Sequence, residues 1–370
     1  MRKILIITEA GDANPSGKIR AHIYKDLFLA NGYHVRFKSC SSPFIVKINF
    51  SVQNNSFISF LKKFGIIGFL NFFNARIYKK INLFFLASYS RKFDIIYLQK
   101  IYSWPFIQTL SARKTARLVY DLNDGLWLPV FERLTNGNIK QIIGAVDAVI
   151  SDNPYGVAFA KKINKNSFMV PDSPQVEMFD IESRKKETSD QTIVLGWVGS
   201  PGTLYNLYVI FEALESLFKR FKNIHLRILG SGFNQELLPS FENVRYSVKP
   251  FYTQKELVDE VLKMDIGLFP LFDIENSLAR GILKATVYMS GEVATVCSSV
   301  GQSKELIKDG INGMLAATSG DWEEKLSVLI TDAEARKNIA RRGHETIKTE
   351  FTLEKNFQKL IDVLLARNLG

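Results

Sequence analysis

Short apolar runs, rich in β-branched residues and bounded by polar ones, recur along the chain with helical patterns between them. Such runs predict buried strands of parallel sheets, because alternating strands and helices are joined by right-handed crossovers. The predicted strands are Lys3–Thr8, His34–Lys38, Asp94–Gln99, Arg117–Asp121, Ala148–Ser151, Ile193–Val198, Ile224–Leu229, Ile266–Pro270 and Ala294–Ser298. The predicted helices include Ile19–Asn31, Leu207–Phe221 and a closing helix at roughly Leu353–Ala366. The pattern therefore indicates an α/β protein.

One polar segment without apolar periodicity, residues 178–192, interrupts this pattern and is typical of a linker. It separates an N-terminal domain at residues 1–177 from a second domain at residues 193–349, and a C-terminal helix at 350–370 follows. A length of 370 residues fits two domains. Two doubly wound, Rossmann-like domains facing each other form a cleft at the carboxyl ends of their strands, where ligands bind. This architecture favours a two-substrate enzyme over a simple binding module.

The net charge of +11 is unevenly distributed. Residues 1–180 contain 24 Lys+Arg and 12 Asp+Glu, and no acidic residue lies between Asp26 and Asp94. With 46% hydrophobic and 23% charged residues, the composition excludes a disordered chain. The two cysteines, Cys40 and Cys297, exclude a disulfide-rich class and say little about redox, so a reduced, cytoplasmic compartment is the default expectation. Four scattered histidines predict no metal site.

An insertion at about residues 40–93 combines this basic charge with aromatic side chains, including nine phenylalanines within residues 57–93. Three interpretations compete: a segment lying on an anionic membrane, a nucleic-acid surface, and core helices with a basic solvent face. The absence of acidic residues favours the interpretation as a membrane-bound segment. No recognition motif supports the interpretation as a nucleic-acid surface. The candidate acceptor or membrane residues are Arg20, Lys62, Lys63, Arg76, Lys79 and Lys80.

No apolar run in the sequence reaches the length of about 18 residues that a membrane-spanning helix needs. The apolar run at the N-terminus is too short for a signal peptide, and an acidic residue follows it. We therefore expect a cytoplasmic protein that is peripheral at the inner face of the cell membrane.

The strand Ile193–Val198 runs into the loop Gly199-Ser200-Pro201-Gly202-Thr203 and then into a helix. Its glycines allow close backbone approach, and free amides at the helix start can face an anion. The alternative is a tight turn that binds nothing. Further along, Arg280 and Lys284 are four residues apart, so one helix face can present both to a diphosphate. Their alternative role is that of two solvated surface cations.

Two runs in the second half carry a resemblance: Gly196-Trp197-Val198-Gly199-Ser200-Pro201-x-Thr203, and the spaced series Asp265-Ile266-Gly267, Pro270-Leu271, Arg280-Gly281, Lys284, Tyr288-Met289, Val300-Gly301, Glu305, Asp309-Gly310-x-Asn312-Gly313. They resemble the C-terminal domain of GT-B glycosyltransferases of the family 4 type, found in bacterial polysaccharide synthesis. The resemblance is strong in 193–313, moderate in 1–30 and 117–127, and absent in 40–93. It implies a GT-B fold whose C-terminal helix can cross back to the first domain.

The resemblance also implies site residues. The donor-binding candidates are Gly17, Lys18, Gly199, Ser200, Gly202, Thr203, Gly232, Arg280, Lys284 and Glu305. The catalytic candidates are Asp121, Asp124, Arg280 and Lys284, where the two aspartates either line the cleft or cap the following helix. One departure stands out, because two glutamates of many relatives fall at Ala279 and Val287. The ribose and sugar hydroxyls must then be held by other groups.

The function implied is that of a retaining, metal-independent hexosyltransferase that needs no cofactor. It moves a sugar from a nucleotide-diphosphate donor to a saccharide acceptor, expected to be lipid-linked, in the synthesis of surface polysaccharide or lipopolysaccharide. Two alternatives stay open. A sugar-nucleotide 2-epimerase shares the architecture, and a non-catalytic nucleic-acid-binding protein would use the basic half alone.

Overall fold

The computed structural model describes residues 2–13, 15–42, 44–45, 66–182, 192–232 and 235–366. The chain divides into two compact units, of which unit 1 comprises Met1–Asp172 with Glu354–Gly370, and unit 2 comprises Ser173–Leu353. Each unit contains one six-stranded sheet with parallel strand pairs throughout. The predicted architecture of two doubly wound domains is thereby confirmed.

The sheet of unit 1 has the strand order β2-β1-β3-β4-β5-β6. Its strands are β1 Lys3–Thr8, β2 His34–Ser39, β3 Ile95–Gln99, β4 Arg117–Leu122, β5 Ala148–Ser151 and β6 Ser167–Met169. Its helices are α1 Pro15–Arg20, α2 Lys25–Ala30, α3 Ile66–Phe73, α4 Lys79–Tyr89, α5 Trp104–Arg113, α6 Glu132–Thr135, α7 Ile139–Ala145 and α8 Pro154–Lys161. Shorter helical turns are Gly11–Ala13, His22–Tyr24, the π-helical Asn74–Tyr78, Ser90–Lys92 and Pro129–Phe131.

The sheet of unit 2 has the order β12-β11-β10-β7-β8-β9. Its strands are β7 Ile193–Val198, β8 Ile224–Leu229, β9 Tyr246–Lys249, β10 Ile266–Phe269, β11 Ala294–Ser298 and β12 Met314–Ala316. Its helices are α9 Phe211–Arg220, α10 Gln254–Val261, α11 Glu275–Leu278, α12 Leu283–Ser290, α13 Ser303–Leu306, α14 Ser319–Thr331 and α15 Ala333–Glu350. The 3₁₀ helices are Val176–Met178, Pro201–Ile210 and Gln235–Leu237.

The final helix, α16 (Leu353–Leu365), returns to unit 1. The Phe357 ring lies 5.0 Å from Phe28 and 5.9 Å from Tyr24, centroid to centroid. Arg2 donates a hydrogen bond from Nη1 to the carbonyl oxygen of Leu365 at 3.0 Å. The expected return of the C-terminal helix to the first domain is confirmed.

Two predicted helices are interrupted in the structure. The segment predicted as Ile19–Asn31 breaks after Arg20, where that side chain turns into the core to pair with Asp121. The segment predicted as Leu207–Phe221 begins as a 3₁₀ helix, and α9 starts only at Phe211. The described part of the predicted linker packs on unit 2, where Phe179 is buried in an apolar cluster with Val261.

Each sheet has one topological switch, where the strands stop being added on one side of the first strand and continue on its other side. In unit 1 this topological switch lies between β1 and β3, and in unit 2 it lies between β7 and β10. Open α/β sheets bind ligands beyond the carboxyl ends of their strands at such a switch. The loops that follow these four strands are therefore the first places to look for a site.

Candidate functional site

The loop after β7 is a compact turn at the switch of unit 2. An added Cβ at Gly199 would lie 1.9 Å from the Trp197 ring, so only glycine fits there. The Ser200 amide donates to Thr203 Oγ1 at 3.0 Å, and Thr203 Oγ1 donates to the Ser200 carbonyl at 2.9 Å. Gly202 faces open space, with nothing within 4 Å of an added Cβ. The structure thus brings together the four donor-loop residues predicted from the sequence.

Lys284, on the first turn of α12, reaches this loop. Its Nζ donates to Thr203 Oγ1 at 3.1 Å and lies 5.3 Å from the centroid of the Trp197 ring. Burial and the charge of Arg280 lower the pKa of Lys284 to about 7. An ammonium group has three donors, and the contact with Thr203 uses one of them. The remaining donors are available to a ligand.

Arg280 lies in the turn between α11 and α12. Its Nε is buried and has no hydrogen-bond partner. Within the described ranges, no carboxylate forms a salt bridge with Arg280 or Lys284. The prediction that one helix face presents both cations is wrong, because α12 begins only at Leu283. Two neighbouring unpaired cations repel each other, so the arrangement favours binding of an anion.

The other donor-side candidates flank this loop or lie along the same edge. Gly232 follows β8, and an added Cβ there would lie 2.6 Å from Pro201 Cγ, so this turn contacts the donor loop directly. Glu305 is exposed on α13. Ala279 and Val287, at the positions of the missing glutamates, are buried apolar residues, and Val287 packs in the same cluster as Tyr288.

In unit 1, Arg20 and Asp121 form a buried bidentate ion pair. Arg20 Nε donates to Asp121 Oδ2 at 3.0 Å and Nη2 donates to Oδ1 at 2.8 Å. Arg20 Nη1 reaches the Val170 carbonyl at 2.6 Å and Asp172 Oδ1 at 3.0 Å. The Tyr97 hydroxyl donates to Asp121 Oδ2 at 2.7 Å. These bonds join β3, β4 and the segment after β6.

This network corrects two sequence-based assignments. Arg20 was a candidate for the acceptor or the membrane, but it is 4% exposed and all three of its nitrogens are bonded inside the protein. Asp121 was a catalytic candidate, but its carboxylate is fully buried and is occupied by Arg20 and Tyr97. Both groups therefore stabilise the fold of unit 1, and the Asp121 carboxylate is not exposed to a ligand.

Replacing Asp121 with asparagine is expected to destabilise the protein by about 3–5 kcal/mol, because it leaves Arg20 without its main buried counter-charge. Urea denaturation followed by circular dichroism measures the change. As a control, Glu345→Gln removes the partner of Arg341 in an exposed ion pair, and a change of less than about 1 kcal/mol is expected. A stable Asp121→Asn protein that has lost only its activity would contradict the structural role.

Sequence reasoning missed two further buried carboxylates beside this pair. Asp152 directly follows β5, and burial together with Asp172 raises its pKa well above the usual range. Asp172 accepts from Arg20, and burial, which Arg20 only partly opposes, raises its pKa. Asp152 directly follows a predicted strand, whereas the short strand before Asp172 is not predicted, and the burial of both carboxylates next to Arg20 depends on the fold.

The switch edge of unit 1 carries a second polar group. Gln99 Nε2 and Asn123 Nδ2 both donate to Ser16 Oγ, at 2.8 and 3.2 Å. Asn123 Oδ1 is buried without a partner. Lys100 Nζ pairs with Asp124 Oδ2 at 2.7 Å, and the Asp124 side chain is 47% exposed. The predicted residue Asp124 is therefore accessible to a ligand, unlike Asp121.

The donor-side candidates of unit 1 lie on α1. Gly17 packs closely on the loop after β1, because an added Cβ would lie 2.4 Å from the Gly11 carbonyl oxygen. Lys18 is exposed beside it. Both are in the helix that follows β1, so they belong to the switch edge together with Ser16.

The described part of the insertion presents an aromatic face. Its residues are Phe69, Phe72, Ile77, Ile81, Phe84 and Phe85. Phe84 is 75% exposed and Phe69 is 67% exposed, whereas Leu83 and Leu86 on the opposite side of α4 pack into the core. The interpretation of ordinary core helices therefore explains only one side of α4.

The cations predicted for this region differ in their surroundings. Lys80 is exposed next to the aromatic face, but Lys79 pairs with Glu9 at 3.5 Å and so is not a free cation. Lys62, Lys63 and the side chain of Arg76 lie outside the described residues. In the described ranges every helix is too short or too polar to cross a bilayer. No cluster of potential metal ligands occurs in the same part of the chain.

The comparisons with known proteins agree with this geometry. A family model described as glycosyl transferases group 1 matches residues 192–332. The structure of Anabaena Alr3699/HepE with UDP and glucose superimposes with a TM-score of 0.66 at 13% identity, over 99% of this chain and 100% of that chain. A glycosyltransferase from Rickettsia africae gives 0.66 and 13% over 98% and 97%. Sucrose-phosphate synthase from Thermosynechococcus elongatus gives 0.66 and 13% over 98% of both.

No curated protein matches the chain. The family match covers the loop after β7, Arg280 and Lys284, which are the residues that the structure brings together at the switch of unit 2. The structural relatives extend the likeness over nearly the whole chain. At 13% sequence identity this likeness shows the fold alone. The chain therefore has the GT-B fold, and its residues 192–332 are similar to the group 1 glycosyl transferases.

Proposed function

We propose that the protein is a retaining, metal-independent hexosyltransferase of the family 4 type that uses a nucleotide-diphosphate sugar as donor. The observation that carries this proposal is a pair of cations for which the described part of the chain supplies no salt-bridge partner. Lys284 contacts the loop after β7, and Arg280 lies close enough to Lys284 to lower its pKa. A departing diphosphate accumulates negative charge in the transition state, and preorganised cations stabilise that charge. In this proposal the two side chains supply the charge neutralisation that a metal ion supplies in other transferases.

The proposed reaction breaks the bond between the anomeric carbon and the diphosphate and forms a bond from that carbon to an acceptor oxygen. The departing phosphate oxygen takes the proton of the acceptor hydroxyl on the same face of the sugar, so the anomeric configuration is retained. No histidine is needed as a general base. Lys284 donates hydrogen bonds to the diphosphate and becomes fully protonated as negative charge develops next to it.

We assign the acceptor saccharide to the switch edge of unit 1. Asn123 offers a buried amide oxygen without a partner, and Asp124 offers a partly exposed carboxylate. Both groups accept hydrogen bonds from sugar hydroxyls. Lys100 holds the Asp124 carboxylate in place. This assignment keeps the sequence-based role of Asp124 and adds Asn123 and Lys100 to it.

The proposed acceptor is linked to a lipid, and the protein acts at the inner face of a bacterial membrane in surface polysaccharide synthesis. The aromatic face supports this step because it leaves large apolar side chains in water. Burying each such phenylalanine contributes about 2 kcal/mol. A basic residue near an anionic surface adds about 1 kcal/mol. The absence of acidic residues between Asp26 and Asp94 gives the charge complementarity that anionic lipid requires.

A screen with UDP-, GDP-, ADP- and CMP-sugars tests the donor assignment. We expect one of them to raise the thermal midpoint, because a ligand at about 100 times its Kd stabilises the folded state by about 2.7 kcal/mol. UDP-glucose is the first probe, since the Anabaena relative was solved with UDP-glucose. Product analysis with an added saccharide then separates transfer from 2-epimerisation, which yields an altered sugar without any acceptor. Stabilisation by none of the four would contradict the proposal.

A further inference from the structure

Two loops meet beside Arg280 at the carboxyl edge of the second sheet. One follows β10 and contains α11, and the other follows β11, which is the neighbouring strand. An added Cβ at Gly301 would lie 3.3 Å from Leu278 Cα and 3.4 Å from the Ser277 carbonyl oxygen. The backbones of the two loops are therefore in close contact two residues before Arg280.

Several polar atoms of these two loops are buried and have no partner inside the protein. Among them are Asn276 Oδ1, Ser277 Oγ, Arg280 Nε and Gln302 Oε1. Ser277 is 1% exposed and Gln302 is 4% exposed. A buried polar atom without a hydrogen bond costs about 1–3 kcal/mol, and native proteins contain few of them. A concentration of such atoms on two adjoining loops indicates that a ligand supplies the missing partners.

The types of these atoms define the chemistry of that ligand. The amide oxygens of Asn276 and Gln302 only accept hydrogen bonds, so they require O–H or N–H donors. Arg280 Nε only donates, so it requires an acceptor such as a phosphate oxygen. The Ser277 hydroxyl can do both. The matching molecule carries hydroxyl groups on one side and phosphate on the other.

We propose that Asn276, Ser277 and Gln302 form an uncharged pocket that recognises the hydroxyl groups of the nucleotide sugar, while Arg280 connects it to the diphosphate. This inference rests on the proposed function. It explains how the chain manages without carboxylates at Ala279 and Val287. Neutral acceptors add no negative charge next to the diphosphate, so the cations of Arg280 and Lys284 remain fully available to the phosphates. The hydroxyl groups belong either to the transferred sugar or to the ribose.

The test uses Gln302→Leu, which removes the accepting oxygen and keeps the size of the side chain. The fold should survive, because the substitution removes a buried polar atom without a partner. We expect the nucleotide sugar that stabilises the wild type best to bind at least tenfold more weakly. The matched control is Gln235→Leu, at an exposed position in another turn of unit 2, where no change in binding is expected.

Three probes then separate the sources of the hydroxyls. If the pocket holds the transferred sugar, the nucleoside diphosphate alone keeps its affinity for Gln302→Leu. If the pocket holds the ribose, the affinity of Gln302→Leu for the nucleoside diphosphate falls as much as its affinity for the nucleotide sugar. Its affinity for inorganic pyrophosphate then stays unchanged. Unchanged binding of the nucleotide sugar to Gln302→Leu and to Asn276→Ala would overturn the pocket alone. Failure of the wild type to bind any nucleotide sugar would overturn the proposed function and the pocket with it.

Discussion

Replacing Lys284 with methionine is expected to reduce sugar transfer at least a thousandfold and, in the absence of nucleotide, to stabilise the protein. The loss follows because the ammonium contacts Thr203 in the donor loop and carries one of the two charges proposed to face the diphosphate. A lost donor at a developing negative charge costs about 10²–10³ in rate, and here a full charge is lost as well. The gain in stability follows because methionine keeps the packing on Trp197 without burying an unpaired cation.

The difference in stability between the wild type and Lys284→Met should change with pH in a defined direction. Burial and Arg280 lower the pKa of Lys284 from 10.5 to about 7 in the folded protein. Between these two values the unfolded chain holds a proton that the folded chain has released, so the free energy of unfolding rises with pH across this window. Lys284→Met should lack this rise. Below pH 7 both forms are charged in the wild type, so the advantage of the methionine variant is largest there.

Chemical denaturation between pH 6 and 10 measures these differences, with and without the nucleotide sugar that stabilises the wild type best. Bound diphosphate restores a counter-charge to Lys284, so nucleotide should stabilise the wild type and have little effect on the variant. Lys219→Met, at an exposed position on α9, is the control and should behave like the wild type. Arg280→Ala should also lose transfer. Full activity in either site variant would remove these residues from the mechanism.

Replacing Phe84 and Phe85 together with glutamate is expected to abolish binding to anionic vesicles. Both rings are more than half exposed on α4, so the change should leave the core intact. Losing about 2 kcal/mol of burial for each ring predicts a weakening of several hundredfold, to which the two added negative charges contribute further. Transfer to a soluble saccharide should be unaffected, because neither residue lies at the switch edges of the two sheets.

Flotation with vesicles of phosphatidylcholine, with and without phosphatidylglycerol, measures the binding. The wild type should float with the anionic vesicles, and higher salt should weaken that binding because it screens the basic residues. Leu29→Glu, an exposed apolar residue on α2, is the matched control. A wild-type protein that stays at the bottom of the gradient with anionic vesicles would refute membrane docking.

The sequence predicted the buried strands of both sheets best. The bounds of Lys3–Thr8, Ala148–Ser151 and Ile193–Val198 agree with the structure, since parallel strands covered on both faces read as continuous apolar runs. The missed strands are Ser167–Met169, Tyr246–Lys249 and Met314–Ala316. Each lies at an edge of its sheet and is only three or four residues long, so it leaves little apolar pattern.

The site was only partly predictable for a different reason. Arg280 and Lys284 stand out in a motif, but the contact of Lys284 with Thr203 joins residues 81 positions apart. Spacing cannot distinguish a carboxylate that meets a ligand from one that meets a buried guanidinium, so the sequence alone predicts Asp121 and Arg20 as site residues. Only the fold separates Asp121, which is enclosed, from Asp124, which is accessible.

The return of α16 to unit 1 has a consequence for how this protein can be divided and recombined. Because Met1–Asp172 and Glu354–Gly370 belong to one unit, unit 2 is topologically an insertion within unit 1. A fragment that ends at Asp172 would leave Phe28 and Tyr24 without the Phe357 ring that covers them. A chimaera that exchanges unit 2 must therefore replace residues 173–353 between two junctions and keep α16 with unit 1.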